Sequence, residues 1–277
     1  MRFHKYQGLG NDYLVVQSDA TVALSGALVR RLCDRHFGVG ADGVLLGGID
    51  PQHGASVRIF NPDGSEAEKS GNGLRIFARY LWDAGLVGDQ PFDVQTKGGV
   101  VRCHVQASGA RVVVDMGQAT FDSAKIPVAG PAREVVDEEI AVGGERLRFT
   151  AVSVGNPHCV VHVDEASDDQ ARRLGPLLET HPLFPNRTNV QFVQVVDPTH
   201  LRIEIWERGA GYTLASGSSS CAAAAASLRL GRCRNQVTVT MPGGDLSIAV
   251  SDSFAVQMTG PVGKIADGTV APELLEG

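Results

Sequence analysis

The chain has 277 residues, of which 43% are hydrophobic and 20% are charged. This length and composition predict a folded, soluble protein with two lobes, because one small core does not accommodate so many residues. The net charge of −6 and the pI near 5.7 argue against nucleic acid or an anionic membrane as a partner. No run approaches the ~18 apolar residues of a transmembrane helix, and Met1–Tyr6 lacks the apolar run of a signal peptide, so we expect a cytoplasmic protein.

The cysteines argue against a disulfide framework and against a zinc site. They are Cys33, Cys103, Cys159, Cys221 and Cys233, an odd number of scattered residues without Cys-x-x-Cys spacing. We therefore expect buried free thiols.

Runs rich in Val and Ile, bounded by Gly, Pro, Asn or Asp, predict strands along the whole chain. In chain order they are Tyr13–Gln17, Val44–Ile49, Val57–Phe60, Val100–Val105, Arg111–Met116, Ala151–Val154, Val160–Val163, Asn189–Val196, Leu201–Trp206 and Gln236–Met241. Helical patterns are fewer, and they cover Ser25–His36, Leu74–Ala84, Asp168–Leu178 and Ser218–Leu230. Many strands with few helices indicate an α+β protein.

One pattern occurs twice. The segment Arg58–Gly64 leads through a polar loop to Ser70-Gly71-Asn72-Gly73 and a helix, and Arg202–Gly209 leads in the same way to Ser216-Gly217-Ser218-Ser219 and a helix. The two serines are 146 positions apart, about half the chain. This spacing predicts two similar lobes, and we expect the two helix starts to face each other across a central cleft.

The two helix starts are the candidate chemical site. The first turn of a helix offers unpaired backbone N–H groups and the positive end of the macrodipole, so two such starts together would bind a carboxylate. Either serine taken alone is better explained as a helix N-cap. The paired occurrence favours a shared anion site.

Six further blocks have a recognisable order and spacing. They are Met1–Tyr13, Asn61–Glu66, Gly71–Gly73, Gly155–Cys159, Asn189 within Arg187–Val190, and Glu207–Gly211. Together they resemble the diaminopimelate epimerase family over nearly the whole chain. The resemblance implies an α+β fold of two pseudo-symmetric lobes, each a barrel-like sheet around a central helix. We assign 1–117 with 262–277 to the N-terminal lobe and 118–261 to the C-terminal lobe.

The resemblance also implies an activity. It is a two-base epimerisation at an amino-acid α-carbon, L,L- to meso-diaminopimelate, without pyridoxal phosphate or another cofactor and without a metal. The substrate is a small amino acid, and a homodimer is left open. The positions that match the family's catalytic groups are Ser70, Ser216, His158 and Glu207, and those that match its substrate-binding groups are Asn11, Asn61, Gly71, Asn72, Asn156, Asn189, Glu207, Arg208, Gly217 and Ser218.

The chain departs from the family where the chemistry occurs, because the family has cysteine at the positions of Ser70 and Ser216. Serine is a far weaker acid than a thiol with a pKa near 8.5. Three explanations follow: engineered serines that trap substrate, natural serines assisted or replaced by His158, Glu207 or Lys69, or binding without turnover. The differences at Lys69, Gly43 and Tyr212 favour a natural branch.

Two alternative functions therefore stand beside the epimerase. One is a different isomerase on the same fold that uses carboxylate or histidine bases, as the phenazine-biosynthesis branch does. The other is a catalytically dead protein that only binds the amino acid.

Four weaker signals have simpler interpretations. Gly38–Gly43 fits G-x-G-x-x-G, but a helix precedes it and a strand follows, which is the wrong order for a dinucleotide site. His158 and His162 are predicted on a strand, where their spacing does not suit a metal. Lys97-Gly98-Gly99 predicts a hairpin turn, and Glu66 and Glu68 are interpreted as solvated loop carboxylates.

Overall fold

The computed structural model describes residues 1–17 and 24–276. It divides the chain into two compact units. Unit 1 comprises Met1–Asp115 and Gly260–Gly277, and unit 2 comprises Met116–Thr259. Strands predominate in both units, so the α+β class is confirmed.

The elements follow one another in two similar series. The first series is β1 (Arg2–Gly8), β2 (Asn11–Gln17), α1 (Gly26–Cys33), β3 (Val44–Asp50), β4 (Gly54–Phe60), β5 (Glu66–Ala67), α2 (Gly71–Asp83), β6 (Phe92–Thr96), β7 (Gly99–Gln106) and β8 (Arg111–Gln118). The second is β9 (Glu138–Val142), β10 (Glu145–Ser153), β11 (Pro157–Val163), α3 (Asp168–Glu179), β12 (Asn189–Asp197), β13 (His200–Glu207), β14 (Gly211–Thr213), α4 (Gly217–Arg229), β15 (Gln236–Met241), β16 (Gly244–Val250) and β17 (Ala255–Pro261). Strand β18 (Gly263–Thr269) and helix α5 (Pro272–Glu276) close the chain.

Strand pairing follows the same order in both units. In unit 1, β1 is antiparallel to β2, β2 parallel to β3, β3 antiparallel to β4, and β4 parallel to β6. In unit 2, β10 is antiparallel to β11, β11 parallel to β12, β12 antiparallel to β13, and β13 parallel to β15. Each parallel step contains a helix, α1 and α2 in unit 1 and α3 and α4 in unit 2. The internal repeat predicted from the two serines is therefore present in the topology.

One helix of each unit is buried against the sheet. Helix α4 packs against β10, β11, β12, β13, β15 and β16, and its run from Ser219 to Ser227 is buried. Its alanines explain this position, because a helix surrounded by strands must be small and uncharged on all sides. Helix α2 packs against β1, β2, β3 and β7 through its apolar residues. Both arrangements match the expected sheet around a central helix.

Three local expectations need correction. Helix α1 ends at Cys33, before His36, because Asp34 Oδ1 accepts hydrogen bonds from the N–H groups of His36 and Phe37 at 2.7 Å and turns the chain. Glu66 lies in β5, where both carboxylate oxygens accept hydrogen bonds from Arg58 at 3.0 Å, so it is ion-paired and not simply solvated. Strand β10 ends at Ser153, one residue before the predicted end.

Several strands have no clear sequence signal. Strand β18 is largely exposed and polar, and it forms through antiparallel pairing with β1, in which Arg2 lies opposite Thr269.

The hairpin at Lys97-Gly98-Gly99 is confirmed, since Thr96 pairs with Gly99. All five cysteines are buried thiols outside any disulfide, as predicted. Within the part of the chain that the structure describes, no helix is long and apolar enough to span a membrane.

Candidate functional site

Ser70 is the N-cap of α2. Its backbone is extended (φ −141°, ψ 120°), and its Oγ accepts a hydrogen bond from the N–H of Gly73 at 3.1 Å. The hydroxyl of Tyr13, on β2, lies 3.3 Å from the same Oγ. Ser70 therefore has the predicted cap geometry and, in addition, a phenol in contact with its hydroxyl oxygen.

The start of α2 also contains a polar chain of three side chains. Asn72, which is buried, donates from Nδ2 to Oδ1 of Asn11 at 3.1 Å. Asn11 in turn donates to Oδ2 of Asp42 at 3.0 Å, and Arg75 donates to Oδ1 of Asn72 at 2.8 Å. These bonds orient two predicted substrate-binding residues relative to the first turn of the helix.

Asn61 and Gly71 have different surroundings. Asn61 follows β4, and its Nδ2 donates to Oγ of Ser65 within the same turn at 3.0 Å. Gly71 is buried as the first residue of α2. A substrate that binds Asn61 must therefore compete with Ser65 for its amide.

Gly43 lies beneath the ring of Tyr13. A Cβ atom at this position would be 2.5 Å from Cε1 of Tyr13 and 2.6 Å from the carbonyl oxygen of Phe60. Both distances are too short for real contacts, so no side chain fits here while the tyrosine ring stays in place. The Tyr13 ring therefore fills the space that a side chain at position 43 would need.

Ser216 is the corresponding N-cap in unit 2. It is buried, its backbone angles (φ −146°, ψ 121°) are close to those of Ser70, and its Oγ accepts from the N–H of Ser219 at 3.4 Å. Burial raises the pKa of the neighbouring Glu207 carboxyl group, and its interaction with the Ser216 side chain partly offsets that rise. A titratable carboxyl group therefore lies beside the second serine.

His158 is fully buried on β11. Its Nε2 lies 3.0 Å from Oδ1 of Asn156, while Nδ2 of Asn156 donates to Oγ of Ser218 at 3.4 Å. Burial lowers the pKa of His158 to about 3, so the ring is neutral at ordinary pH. His158 contacts Asn156, and the contact fixes the orientation of that amide.

Asn189, Arg208 and Gly217 complete the predicted set in unit 2. Asn189 donates to the carbonyl of Pro157 at 2.9 Å and accepts from the backbone N–H of Arg208 at 3.0 Å. The exposed Arg208 side chain donates from Nη1 to the carbonyl of Asn186 at 3.2 Å. Gly217 is buried at the start of α4.

Sequence reasoning missed two polar residues near these helix starts. Tyr13 contacts Ser70, and the buried Gln191 donates from Nε2 to Oγ of Ser219 at 3.0 Å. Strand periodicity was the available signal, since Tyr13 is two residues after Asn11 on β2, and Gln191 is two after Asn189 on β12. Each therefore shares a sheet face with a predicted site residue.

The helix starts can hold an anion through backbone N–H groups that the first helical turn leaves free of intrahelical bonds. Among residues 1–17 and 24–276, no group of three or more His, Cys, Asp and Glu side chains is arranged to hold a metal ion. The side chains beside the two helix starts offer hydroxyl, phenol and carboxyl groups, which can transfer protons.

Comparison with known proteins is consistent in sequence and in structure. The family model described as diaminopimelate epimerase matches residues 3–122 and 150–265. A protein of a Nostoc species named diaminopimelate epimerase 2 is 51% identical over 276 residues, which covers 99% of this chain and 97% of that protein. The diaminopimelate epimerase of Moorella thermoacetica is 45% identical, with 97% and 98% covered. Among solved structures, a hydroxyproline epimerase from Agrobacterium vitis has a TM-score of 0.72 at 16% identity, covering 98% of this chain and 92% of that one, which shows a shared fold.

Proposed function

The chain belongs to the diaminopimelate epimerase family, and on this premise we propose that it interconverts L,L- and meso-diaminopimelate by two-base proton transfer. No pyridoxal phosphate or metal takes part in the proposed reaction. One group removes the α-proton from one face of the α-carbon, and a second group delivers a proton to the other face. Ser70 and Ser216 stand at the positions where the family has its two bases.

The observation that carries the proposal is the position of a titratable carboxyl group, that of Glu207, beside Ser216. A serine hydroxyl alone is too weak an acid to act as a resting base near neutral pH. Burial raises the pKa of Glu207, so its carboxyl group holds a proton more readily than an exposed glutamate does. Ser216 together with Glu207 can thus transfer the proton that a cysteine thiol transfers in the family.

The α-carboxylate is assigned to the helix starts. The N–H groups of Gly71 and Asn72 on α2, and of Gly217 and Ser218 on α4, belong to first helical turns. Such donors, with the positive end of the helix dipole, stabilise both a carboxylate and the negative charge that develops when the α-proton leaves. Asn11 orients Asn72, and His158 orients Asn156.

The far end of the substrate is assigned to Asn61, Asn189 and Arg208. An arginine can hold a carboxylate through two parallel N–H donors. The side chain of Arg208 is exposed and so is accessible to a ligand. The Asn189 amide is held by two hydrogen bonds to backbone groups, so its orientation beside Arg208 is fixed.

A second function has one observation in its favour. Both positions of the family's thiols hold serine, and the group that titrates in unit 2 is Glu207. An isomerase that acts on a different substrate through carboxyl bases fits these facts, and it differs from the first proposal in substrate alone. The dead-site alternative gains no support from a carboxyl group whose pKa is raised beside the serine.

The experiment is incubation with diaminopimelate in D₂O, with α-deuterium incorporation and stereochemistry followed by NMR. We expect exchange and inversion by the parent protein and loss of both in Glu207→Gln. The matched control is Glu134→Gln, which alters an exposed glutamate of the same unit and should leave both rates unchanged. Exchange with other amino acids but not with diaminopimelate would instead favour the different isomerase.

The location and the assembly are also proposals. We keep the cytoplasm as the location and a homodimer as a candidate assembly. Light scattering on the purified protein tests the second of these.

A further inference from the structure

We propose that Tyr13 is the proton carrier for Ser70, so that the phenol and the serine hydroxyl act together on one face of the α-carbon. This inference rests on the proposed epimerase function. Tyr13 acts through Ser70 and is therefore a positioning residue in the reaction.

The geometry places the phenol on the reacting oxygen. The Tyr13 hydroxyl is 3.3 Å from Ser70 Oγ, and the same Oγ accepts the N–H of Gly73 at 3.1 Å. The 3.3 Å separation is longer than an ordinary O–H···O bond, as is common in enzymes before substrate binds. The Gly73 N–H occupies one lone pair of Oγ and leaves the other lone pair and the hydroxyl hydrogen for Tyr13 and the substrate.

A serine needs such a partner because its own hydroxyl holds its proton too tightly. A phenol has an ordinary pKa of about 10, much closer to working pH. With Tyr13 as phenolate, Ser70 Oγ takes the α-proton while its own proton moves to the Tyr13 oxygen. In the reverse direction the phenol returns a proton to Oγ, and Oγ delivers its proton to the carbanion. One proton moves in each step, and no further reactant is needed.

In unit 2 the titratable group beside the serine is the carboxyl group of Glu207. Phe60 pairs with Glu66 and Trp206 pairs with Tyr212 across equivalent hairpins, so Asn61 in unit 1 holds the position that Glu207 holds in unit 2. An amide does not titrate, and Asn61 is bonded to Ser65. Of the two residues compared, only Glu207 can serve its serine, and in unit 1 the titratable group in contact with the serine is Tyr13.

The ring of Tyr13 is held in place for this contact. The residue is 6% exposed, and its ring lies over Gly43, where any side chain would clash. A phenylalanine would keep this packing and lose only the hydroxyl group.

The test is Tyr13→Phe, measured by inversion and by α-deuterium exchange of each diaminopimelate stereoisomer in D₂O. We expect kcat for inversion to fall at least tenfold, with KM within twofold of the parent, since the relay moves protons and does not bind substrate. Exchange without inversion should persist for the stereoisomer served by Ser216 and be lost for the other. The control Tyr80→Phe removes a phenol from the opposite end of α2 and should change none of these rates.

A double-mutant cycle separates a relay from a packing effect. Tyr13→Phe should cause no further loss in a Ser70→Ala background, because both changes interrupt one pathway. Equal inversion by Tyr13→Phe and the parent would overturn the relay, and so would independent, multiplying losses in the cycle. A parent protein that exchanges neither stereoisomer would instead refute the epimerase function itself, and the relay with it.

Discussion

Tyr13 and Gly43 occupy one shared space: a Cβ atom on Gly43 would lie 2.5 Å from Cε1 of the tyrosine ring. The ring sits there because position 43 has no side chain, and its hydroxyl then reaches Ser70. A side chain added at position 43 should therefore displace the Tyr13 ring and move its hydroxyl away from Ser70.

The first prediction concerns Gly43→Ala. The added methyl group would displace the Tyr13 ring and also meet the carbonyl of Phe60, so we expect the free energy of unfolding to fall by about 1–3 kcal/mol. The control Gly48→Ala lies on the same segment, where the nearest atom would be Gln17 Cγ at 3.9 Å. It should be neutral or slightly stabilising in urea unfolding. Equal stability of the two variants would show that the tyrosine ring is not packed as described.

The second prediction concerns two histidines of β11, the buried His158 and the half-buried His162. Burial lowers the pKa of His158 to about 3 and that of His162 to about 4, against an ordinary value near 6.5. Between its lowered pKa and about 6.5, each histidine binds a proton in the unfolded chain but not in the folded chain. The free energy of unfolding therefore falls as pH drops below about 6.5, by up to ~1.4 kcal/mol per pH unit for each histidine.

Replacing either histidine by glutamine should flatten this pH dependence by about one proton, measured by urea unfolding between pH 4 and 7. Activity should distinguish the two variants. His158 holds Asn156, whereas His162 contacts Ser227 within α4, so only His158→Gln should slow epimerisation. An unchanged pH slope in both variants would mean that the rings are hydrated in solution.

The third prediction concerns Arg208. A lysine cannot present two parallel N–H donors to a carboxylate, so Arg208→Lys should weaken diaminopimelate binding by ~2 kcal/mol, or roughly 30-fold in Kd. Isothermal titration calorimetry measures the change. Arg187→Lys is the control, because Arg187 is paired with Glu179 nearby. Binding equal to the parent in Arg208→Lys would place the distal carboxylate elsewhere.

The fourth prediction concerns the serines themselves. Serine and cysteine are close in size, so Ser70→Cys with Ser216→Cys should fold normally and greatly raise diaminopimelate epimerisation. Each single change should speed proton transfer on one face only, seen as faster α-deuterium exchange with a smaller gain in inversion than in the double variant. A folded double variant without any gain, made from a parent that does not turn over diaminopimelate, would favour a different isomerase or a binding protein.

Alkylation provides a control within the same series. The five native cysteines are buried, and burial raises the pKa of Cys33 to about 11 and that of Cys103 to about 12. Iodoacetamide should therefore leave the parent unaffected and inactivate the double variant. Strong inhibition of the parent would show that one of the native thiols is essential.

Local sequence determined the two helix starts. A serine followed by glycine and a helical pattern predicts an N-cap, and Ser70 and Ser216 both have that role with nearly equal backbone angles. The pattern could be read because capping depends on residues three or four positions apart. The run of alanines in α4 likewise indicated a helix with no charged face.

Other features required the folded chain. Strand β18 forms by antiparallel pairing with β1, in which Arg2 lies opposite Thr269. Nothing in the local sequence pattern of either strand indicates that pairing. The contact between Tyr13 and Ser70 joins β2 to α2, and the raised pKa of Glu207 depends on burial by the rest of unit 2. Local preferences act over a few residues, whereas burial and side-chain contacts depend on segments far apart in the chain. The sequence could therefore show where the two serines stand, and only the tertiary structure shows which titratable group lies beside each of them.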